Sequence, residues 1–583
     1  MANGRGAGGP GRVRMSEAEA TGRPRRATSA AVDSQPEGHR WLDNSSSADN
    51  GKSPQASGIL QYGTAGLRTP ARAPVARHGA GHVAARAGIR ERIRERGSAM
   101  LALPRQHALF CSLLLIATIV RVVAMLGYQP GLWYPDSVSY MTDAVNLYPD
   151  VTRSDGYPFF LELLKVFHSV TLVVALQHLL GLAMGVAVYA LLRHRYRLPA
   201  WGATLAAVPP LLSVYAIQIE HFVLSDTLFA ALMTAALLVV LWRPQPGLWA
   251  CASAGLLLGI ASLVRSQGLV LVLPFAIYLL SQFSRSMIKA TVALVVTFAA
   301  PLAMYAAWFD SANGSFNLTS STGAFLYGRV ATFADCAVVK PPADERFLCV
   351  SSPVSKRLGQ ETYFIWNTSQ SPLWHGPGSP FSNKVNDLAE KFAIRAIEAQ
   401  PAAYLSAVWH STYLAFRRQR DATPEGQSQN LYMFPAATPE SVKALGPDCQ
   451  YACYKEVYSY AGGRNPSTTV VQPFAGWIRI YQRFAIVSGP LLGLIVLAGL
   501  AGFGLAWRRL GNPVQLPWLV GVATIVVPAA TASFDARYLV ASLPALCIAA
   551  ALGVQEVGEA GRAAIARRRP PLRPAPDADA ALA

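Results

Sequence analysis

Ten mostly apolar stretches, separated by short polar joints, run along the chain at 107–127, 169–192, 199–218, 222–242, 248–264, 268–283, 287–309, 481–507, 514–532 and 537–555. A helix needs about 20 such residues to cross the hydrocarbon of a bilayer. The pattern therefore predicts an all-α polytopic membrane protein with about ten transmembrane helices. The polar joints differ in charge. Arg193, Arg195, Arg197, Arg243, Arg285, Lys289, Arg508 and Arg509 share alternate joints, while the intervening short loops are poor in Lys and Arg. Basic loops stay on the cytoplasmic side, so both termini are expected there. The fifth and sixth stretches are parted only by Arg265-Ser-Gln-Gly. They are taken as two spans, because fusing them would turn the later basic clusters outward.

One long interval, 310–480, lies between the seventh and eighth stretches and is expected outside. It opens with Asn/Gly/Ser/Thr punctuation typical of irregular chain. Residues 382–416 then show helical periodicity, with Ser382 placed to cap and Pro401 suited to the first turn of a second helix. The first outer loop, between the first two stretches, has the periodicity of short amphipathic helices. The expected organisation is a disordered basic cytoplasmic tail (1–100), an N-terminal transmembrane catalytic module (101–309), an extracytoplasmic loop domain (310–480), C-terminal transmembrane helices (481–555) and a disordered cytoplasmic tail (556–583).

Composition sharpens this picture in two respects. The chain is 52% hydrophobic and only 14% charged, well below the roughly 25% of soluble domains. Its net charge of +18 is concentrated in the N-terminal tail and the Arg567-Arg568-Arg569 run, where basic residues set topology and meet anionic lipid. That placement argues against nucleic acid as a partner. Residues 1–100 are too long and polar for a secretory signal peptide, and 84–97 reads as a short basic surface helix or a solvated charge run. Of seven cysteines, Cys111, Cys251 and Cys547 sit in apolar stretches, while Cys336, Cys349, Cys449 and Cys453 all fall in the long outer interval. An even set in such a loop points to disulfides. Pairing of near neighbours, 336 with 349 and 449 with 453, is the first expectation, and a zinc site is the alternative.

The candidate chemistry gathers on one side. Gly131 to Leu161 contains Asp136, Asp143, Asp150 and Asp155 with Tyr134, Tyr140 and Tyr157. Glu220, His221 and Asp226 lie between the third and fourth stretches, Arg265 between the fifth and sixth, and Asp535, Arg537 and Tyr538 between the last two. Ionisable groups at a membrane are costly unless paired or functional, so four loops converging on one face imply an outward-opening polar cavity. Such a cavity suits glycosyl transfer from a lipid-phosphate donor. A carboxylate takes the proton of an acceptor hydroxyl, guanidiniums receive the leaving phosphate, and aromatic rings hold sugar or isoprenoid. Each residue also has a structural reading. Asp136 could cap the following helix, Glu220 could end a span, His221 could be interfacial, and Arg265 and Arg537 could snorkel to head groups.

The ordered set Tyr134-Pro-Asp136-Ser-Val-Ser-Tyr140, Asp155-Gly-Tyr157-Pro158, Glu220-His-Phe-Val-Leu-Ser-Asp226, Leu263-Val-Arg265-Ser-Gln-Gly268 and Arg537-Tyr538 resembles the GT-C superfamily of integral-membrane glycosyltransferases. The stretch Gly323 to Cys336 is similar to uncharacterised actinobacterial members. The resemblance implies a polyprenyl-phosphate sugar donor, an acceptor that is a cell-wall glycan, glycolipid or protein, and a plasma-membrane site facing outward. It implies Asp136 as catalytic residue and Asp155, Glu220 or Asp226 as second acid. Arg265 and Arg537 would bind carrier phosphate, with Tyr134, Tyr140, Tyr157, His221 and Tyr538 as sugar or acceptor contacts. Ser137 stands where a second acid often follows the first, which leaves open the divalent cation that some members use. A transporter or flippase of a lipid-linked intermediate is the alternative function, and a scaffold subunit without activity a third.

Overall fold

The computed structural model describes residues 107–357, 361–418, 432–438, 452–507, 509 and 511–568. The expected N-terminal tail with its 84–97 segment, Cys449, the side chain of Cys453 and the last residues from 569 lie outside what is described.

The chain begins with α1 (His107–Gly127), an apolar helix of 21 residues. It runs into β1 (Tyr128–Gln129) and then α2 (Pro135–Asn146) and α3 (Gly156–Lys165), the amphipathic pair expected in the first loop. The bundle continues through α4 (Val170–Ala190), α5 (Ala200–Leu212), α6 (Val214–His221), α7 (Asp226–Leu241), α8 (Leu248–Val264), α9 (Val272–Leu280) and α10 (Arg285–Asn313). The long interval forms α11 (Thr322–Ala331), α12 (Cys336–Val339), α13 (Glu361–Trp366), α14 (Asn383–Ala399), α15 (Pro401–Leu414) and α16 (Ala452–Tyr460). After β2 (Thr469–Val470) come α17 (Phe474–Tyr481), α18 (Gly489–Leu505), α19 (Gln515–Thr531) and α20 (Tyr538–Arg568).

Four helices are long and apolar enough to cross a membrane alone: α1, α4 with its extension to Arg195, α10 and α20. The bent pair α5–α6 makes a fifth, and five shorter apolar helices occupy the remaining expected spans. The ten stretches therefore all appear, with altered boundaries. Pro209 and Pro210 lie in the last turn of α5, where proline removes a donor and crowds the preceding turn. The helix ends at extended Ser213 and α6 leaves at 46°. The eighth stretch was expected from 481 but becomes helical only at Gly489, where Pro490 occupies the first turn. The tail expected to be disordered from 556 is helical to Arg568, in keeping with its Ala, Glu and Arg content. Arg265 is extended between α8 and a 3-10 turn over Ser266–Leu271, so the fifth and sixth stretches are separate elements.

The ends of the first helix and the long interval are stitched together. Tyr128 pairs with Val470 and Gln129 with Thr469 in an antiparallel two-stranded ribbon. Leu132 bonds on one side with His221 and Val223, and Trp133 Nε1 donates to the Pro466 carbonyl at 2.8 Å. In the long interval, Ser382 caps α14 by accepting from the Val385 amide, and Pro401 opens α15. Leu388, Phe392 and Ala396 are buried on one face of α14, and Phe392 packs against Tyr327 of α11. Cys336 and Cys349 form the expected disulfide, and the second expected pair falls outside the described residues. This interval also grips the first loop. The Ser320 amide donates to the Val151 carbonyl at 2.8 Å, and Ser321 Oγ to that of Thr152 at 2.8 Å.

Candidate functional site

Pro135 sits in the first turn of α2, with its preset φ and no donor to waste. Tyr134 is the N-cap, and its amide donates to Ser137 Oγ at 2.9 Å. Asp136 therefore does not cap the helix. Ser137 performs that task from the position where a second acid might have stood, and the Asp136 carboxylate is left to long-range partners.

Those partners are two guanidiniums. Arg153 Nη1 lies 3.1 Å from Asp136 Oδ1, and Arg537 Nη1 donates to Oδ2 at 2.9 Å. Burial by itself would raise this carboxyl, but Arg153 and Arg537 together hold it well below the usual carboxylate range. Arg153 comes from the loop before α3. Gly156, the next helix's first residue, has no room for a side chain because the backbone of Leu263 and Val264 lies against it. Ser154 Oγ donates to the Leu263 carbonyl at 2.9 Å, which pins the loop to the end of α8, beside Arg265.

Arg537 is held from behind. Its Nε lies 3.0 Å from Asp535 Oδ2, which also accepts from Tyr432 Oη at 2.8 Å. Burial pushes the Asp535 carboxyl up, with Arg537 opposing. Arg265 Nη1 pairs with Asp226 Oδ2 at 2.7 Å. The three cations each face an aromatic ring: Arg153 over Tyr140 at 5.3 Å, Arg265 over Tyr538 at 5.0 Å and Arg537 over Tyr134 at 5.1 Å. Tyr432 lies near-parallel to Tyr134 with ring centres 6.0 Å apart. Tyr140 Oη bonds with Ser225 Oγ at 3.0 Å, next to Asp226. Asp136, Asp226, Arg265, Arg537, Tyr134, Tyr140 and Tyr538 are thus brought into one cluster from four segments of chain. Tyr157 packs edge-on behind Tyr140 at 5.0 Å.

Three expected residues are placed elsewhere. Asp155 is buried behind α2, where its Oδ2 accepts from Tyr305 Oη at 2.7 Å and from the Asp150 amide at 3.3 Å. Burial pushes its carboxyl up to about 7, and nearby Asp150 adds to the effect. Glu220 and His221 belong to a fully buried network inside the bundle. Arg121 of α1 grips Glu220 with two bonds, Nε to Oε2 at 2.7 Å and Nη2 to Oε1 at 2.8 Å. His178 Nδ1 is 2.8 Å from Glu220 Oε2, and His178 Nε2 is 3.0 Å from His221 Nδ1. His221 Nε2 donates to the Tyr128 carbonyl at 2.7 Å. Gly181 of α4 leaves the space that Glu220 fills.

Sequence reasoning noted Asp535 without giving it a role in the site, and missed Arg153 and Tyr432 as site members. Arg153 and Asp535 were adjacent to residues already singled out, whereas nothing local marks Tyr432. Among the described residues, no group of three His, Cys, Asp or Glu side chains is disposed to hold a metal ion. Around Asp136 the donor set is guanidinium, which repels a divalent cation, so the residues present do not fit one at that carboxylate. A cavity of about 450 Å³ lined by His194, Arg195, Tyr196, Arg197 and Trp242 lies at the other end of α7 from Asp226, about 24 Å along that helix.

No family model matches the sequence, and no curated protein matches it. Among solved structures, the chain is similar to the oligosaccharyltransferase of Archaeoglobus fulgidus in the apo form, with 14% identity and a TM-score of 0.35 over 79% of this chain and 52% of that one. It is likewise similar to the oligosaccharyltransferase AglB of that organism in complex with an inhibitory peptide and a dolichol-phosphate, with 14% identity and a TM-score of 0.34 over 80% and 52%. A third is ArnT from Cupriavidus metallidurans in the apo state, with 16% identity and a TM-score of 0.28 over 81% and 82%. The chain spans about half the length of the archaeal enzymes it matches.

Proposed function

We propose that the chain is a membrane glycosyltransferase of GT-C type that moves a sugar from a polyprenyl-phosphate donor to an extracytoplasmic acceptor. The observation that carries the reading is the Asp136 centre. A carboxylate on a helix of the first loop pairs with two guanidiniums, Arg153 and Arg537, beside a third, Arg265, held by Asp226, and a wall of tyrosines at the ends of apolar helices. Guanidiniums match the oxygens of a phosphate with paired hydrogen bonds, and tyrosine rings present apolar faces to sugar and isoprenoid.

The step balances within this set. The acceptor hydroxyl gives its proton to Asp136, and its oxygen lone pair forms the new bond to the anomeric carbon. The bond from that carbon to the phosphate oxygen breaks, and its electron pair leaves with the polyprenyl phosphate toward Arg537 and Arg265. The configuration at the anomeric carbon inverts. Asp226 keeps Arg265 in place, and Asp535 does the same for Arg537. Glu220 and His221, sealed in the bundle interior, are assigned to holding α1, α4 and α6 together.

Purified protein would be incubated with a panel of polyprenyl-phosphate sugars and release of the lipid phosphate followed, wild type beside Asp136→Asn. Release that depends on Asp136 supports the transferase. Donors that bind without release overturn it in favour of a transporter or scaffold.

A further inference from the structure

In the structure both carboxylate oxygens of Asp136 are occupied, one by each of two guanidiniums from opposite ends of the chain. A general base works best when its affinity for a proton is matched to the working pH, and this carboxylate is held far from that match. As it stands the residue is poorly placed to accept a proton. Its cations, however, have somewhere else to go. Arg537 keeps Asp535 at 3.0 Å, and Arg153 has Asp150 at 4.0 Å. Arg153 Nη1 is buried and makes no well-directed hydrogen bond despite its 3.1 Å approach to Asp136. It is therefore a charged donor with a hydrogen bond still to give. The Tyr140 ring under Arg153 and the Tyr134 ring under Arg537 let each guanidinium turn without losing its stacking partner.

We infer that an anionic phosphate on the incoming donor accepts from Arg153 and Arg537 and so draws them off Asp136, and that the base is armed only in the donor-loaded protein. The inference rests on the proposed transferase reading and adds Arg153 to it as a positioning residue. Arg153 restrains the carboxylate in the empty site and contacts phosphate in the filled one. No bond is made or broken in this exchange; two ion pairs to a carboxylate become two to a phosphate. Two consequences follow for the reaction. Donor must bind before an acceptor hydroxyl can be deprotonated, and the empty site does not activate water.

The exchange can be read without turnover. Dicyclohexylcarbodiimide modifies protonated carboxyls within apolar surroundings, and peptide mass spectrometry locates the adduct. Full-length protein in nanodiscs would be labelled between pH 4 and pH 7 alone, with polyprenyl phosphate, with polyprenol and with inorganic phosphate, and lipid binding followed by thermal shift. Expected is negligible labelling of Asp136 in the empty wild type and at least a fivefold rise with polyprenyl phosphate. Polyprenol should produce no rise, and inorganic phosphate a smaller one. Arg153→Gln should label without any lipid, its midpoint moved toward the ordinary carboxylate range near pH 4, and Arg153→Lys should restore the low level. Polyprenyl phosphate that binds but leaves labelling unchanged, together with Arg153→Gln that labels like wild type, overturns the exchange and spares the transferase. Failure of polyprenyl phosphate to bind at all overturns both.

Discussion

Asp136 is a residue whose behaviour follows from what surrounds it. Substituting Asn keeps its size and one acceptor oxygen for a single guanidinium, but removes the charge and the proton acceptor. On the proposed transferase reading, the charge matters most as the acceptor oxygen becomes nucleophilic, and Asp136→Asn should lower turnover by about 10²–10⁴-fold with little change in donor affinity. Single-turnover assays and donor titration would separate the two. Asp155 differs. Its carboxyl is raised to about 7 in the fold against about 3.9 when unfolded, so the folded state binds the extra proton. Its contribution to stability is present below about pH 4 and lost as pH rises through about 7. Asp155→Asn should flatten that part of the profile, seen as a thermal midpoint that no longer falls by a few °C over the window. A midpoint that declines as steeply as in wild type would mean that Asp155 is ionised throughout.

Among the elements, α6 teaches most about what the chain pattern can and cannot reveal. Glu220, His221 and Asp226 look equivalent in sequence, all near the joint between two apolar stretches. The bend after Pro209 and Pro210 turns α6 back into the bundle, and Glu220 and His221 go with it. Asp226, beyond the extended Phe222–Leu224 segment, stays at the edge with Arg265. The angle of a proline break is not written in hydrophobic periodicity. A different signal was available: Arg121 and His178 interrupt the first two apolar stretches, and buried ionisable groups seek each other. Arg153 was missed for a related reason. It sits among acids in a loop whose path depends on the distant Ser320 and Ser321. Arg265, Arg537 and Tyr538 were legible because each borders an apolar run, and Asp136 because it lies in the acid- and tyrosine-rich loop that follows the first one. The buried network can be tested as a unit. Arg121→Met alone leaves the Glu220 carboxylate uncompensated and should cost on the order of 3–5 kcal/mol, whereas adding Glu220→Met should recover much of it. Thermal unfolding of the two single variants and the double variant measures this, and simple additivity would show the pair to be uncoupled.

At the level of the whole molecule, the α11–α16 region acts as a brace for the site. Its helices pack around Tyr327 and Phe392, and the Cys336–Cys349 bond closes a short loop beside them. Loops of about 15 residues contribute about 3 kcal/mol by restricting the unfolded chain. Reduction, or Cys336→Ser with Cys349→Ser, should therefore weaken hydrogen-exchange protection in α11 and α14. The change should reach the 149–155 segment that Ser320 and Ser321 hold, while α18 to α20 stay protected. Equal protection in both states would mean that the bond does not support the region.

The pairing of Asp136 with Arg537 joins positions 401 residues apart, and this sets a schedule for biosynthesis. At ~5–20 residues per second, a ribosome takes about 20–80 s to travel from one to the other. Throughout that interval the nascent chain carries its key carboxylate in the membrane margin, with Arg153 from the same loop as the only one of its two partners yet made. Arg537 and Asp535 arrive together, immediately ahead of the last membrane helix. A chain that stalls or is cut short before that helix lacks Arg537 and Asp535 beside Asp136, so insertion of α20 completes the fold and the Asp136 cluster in one event.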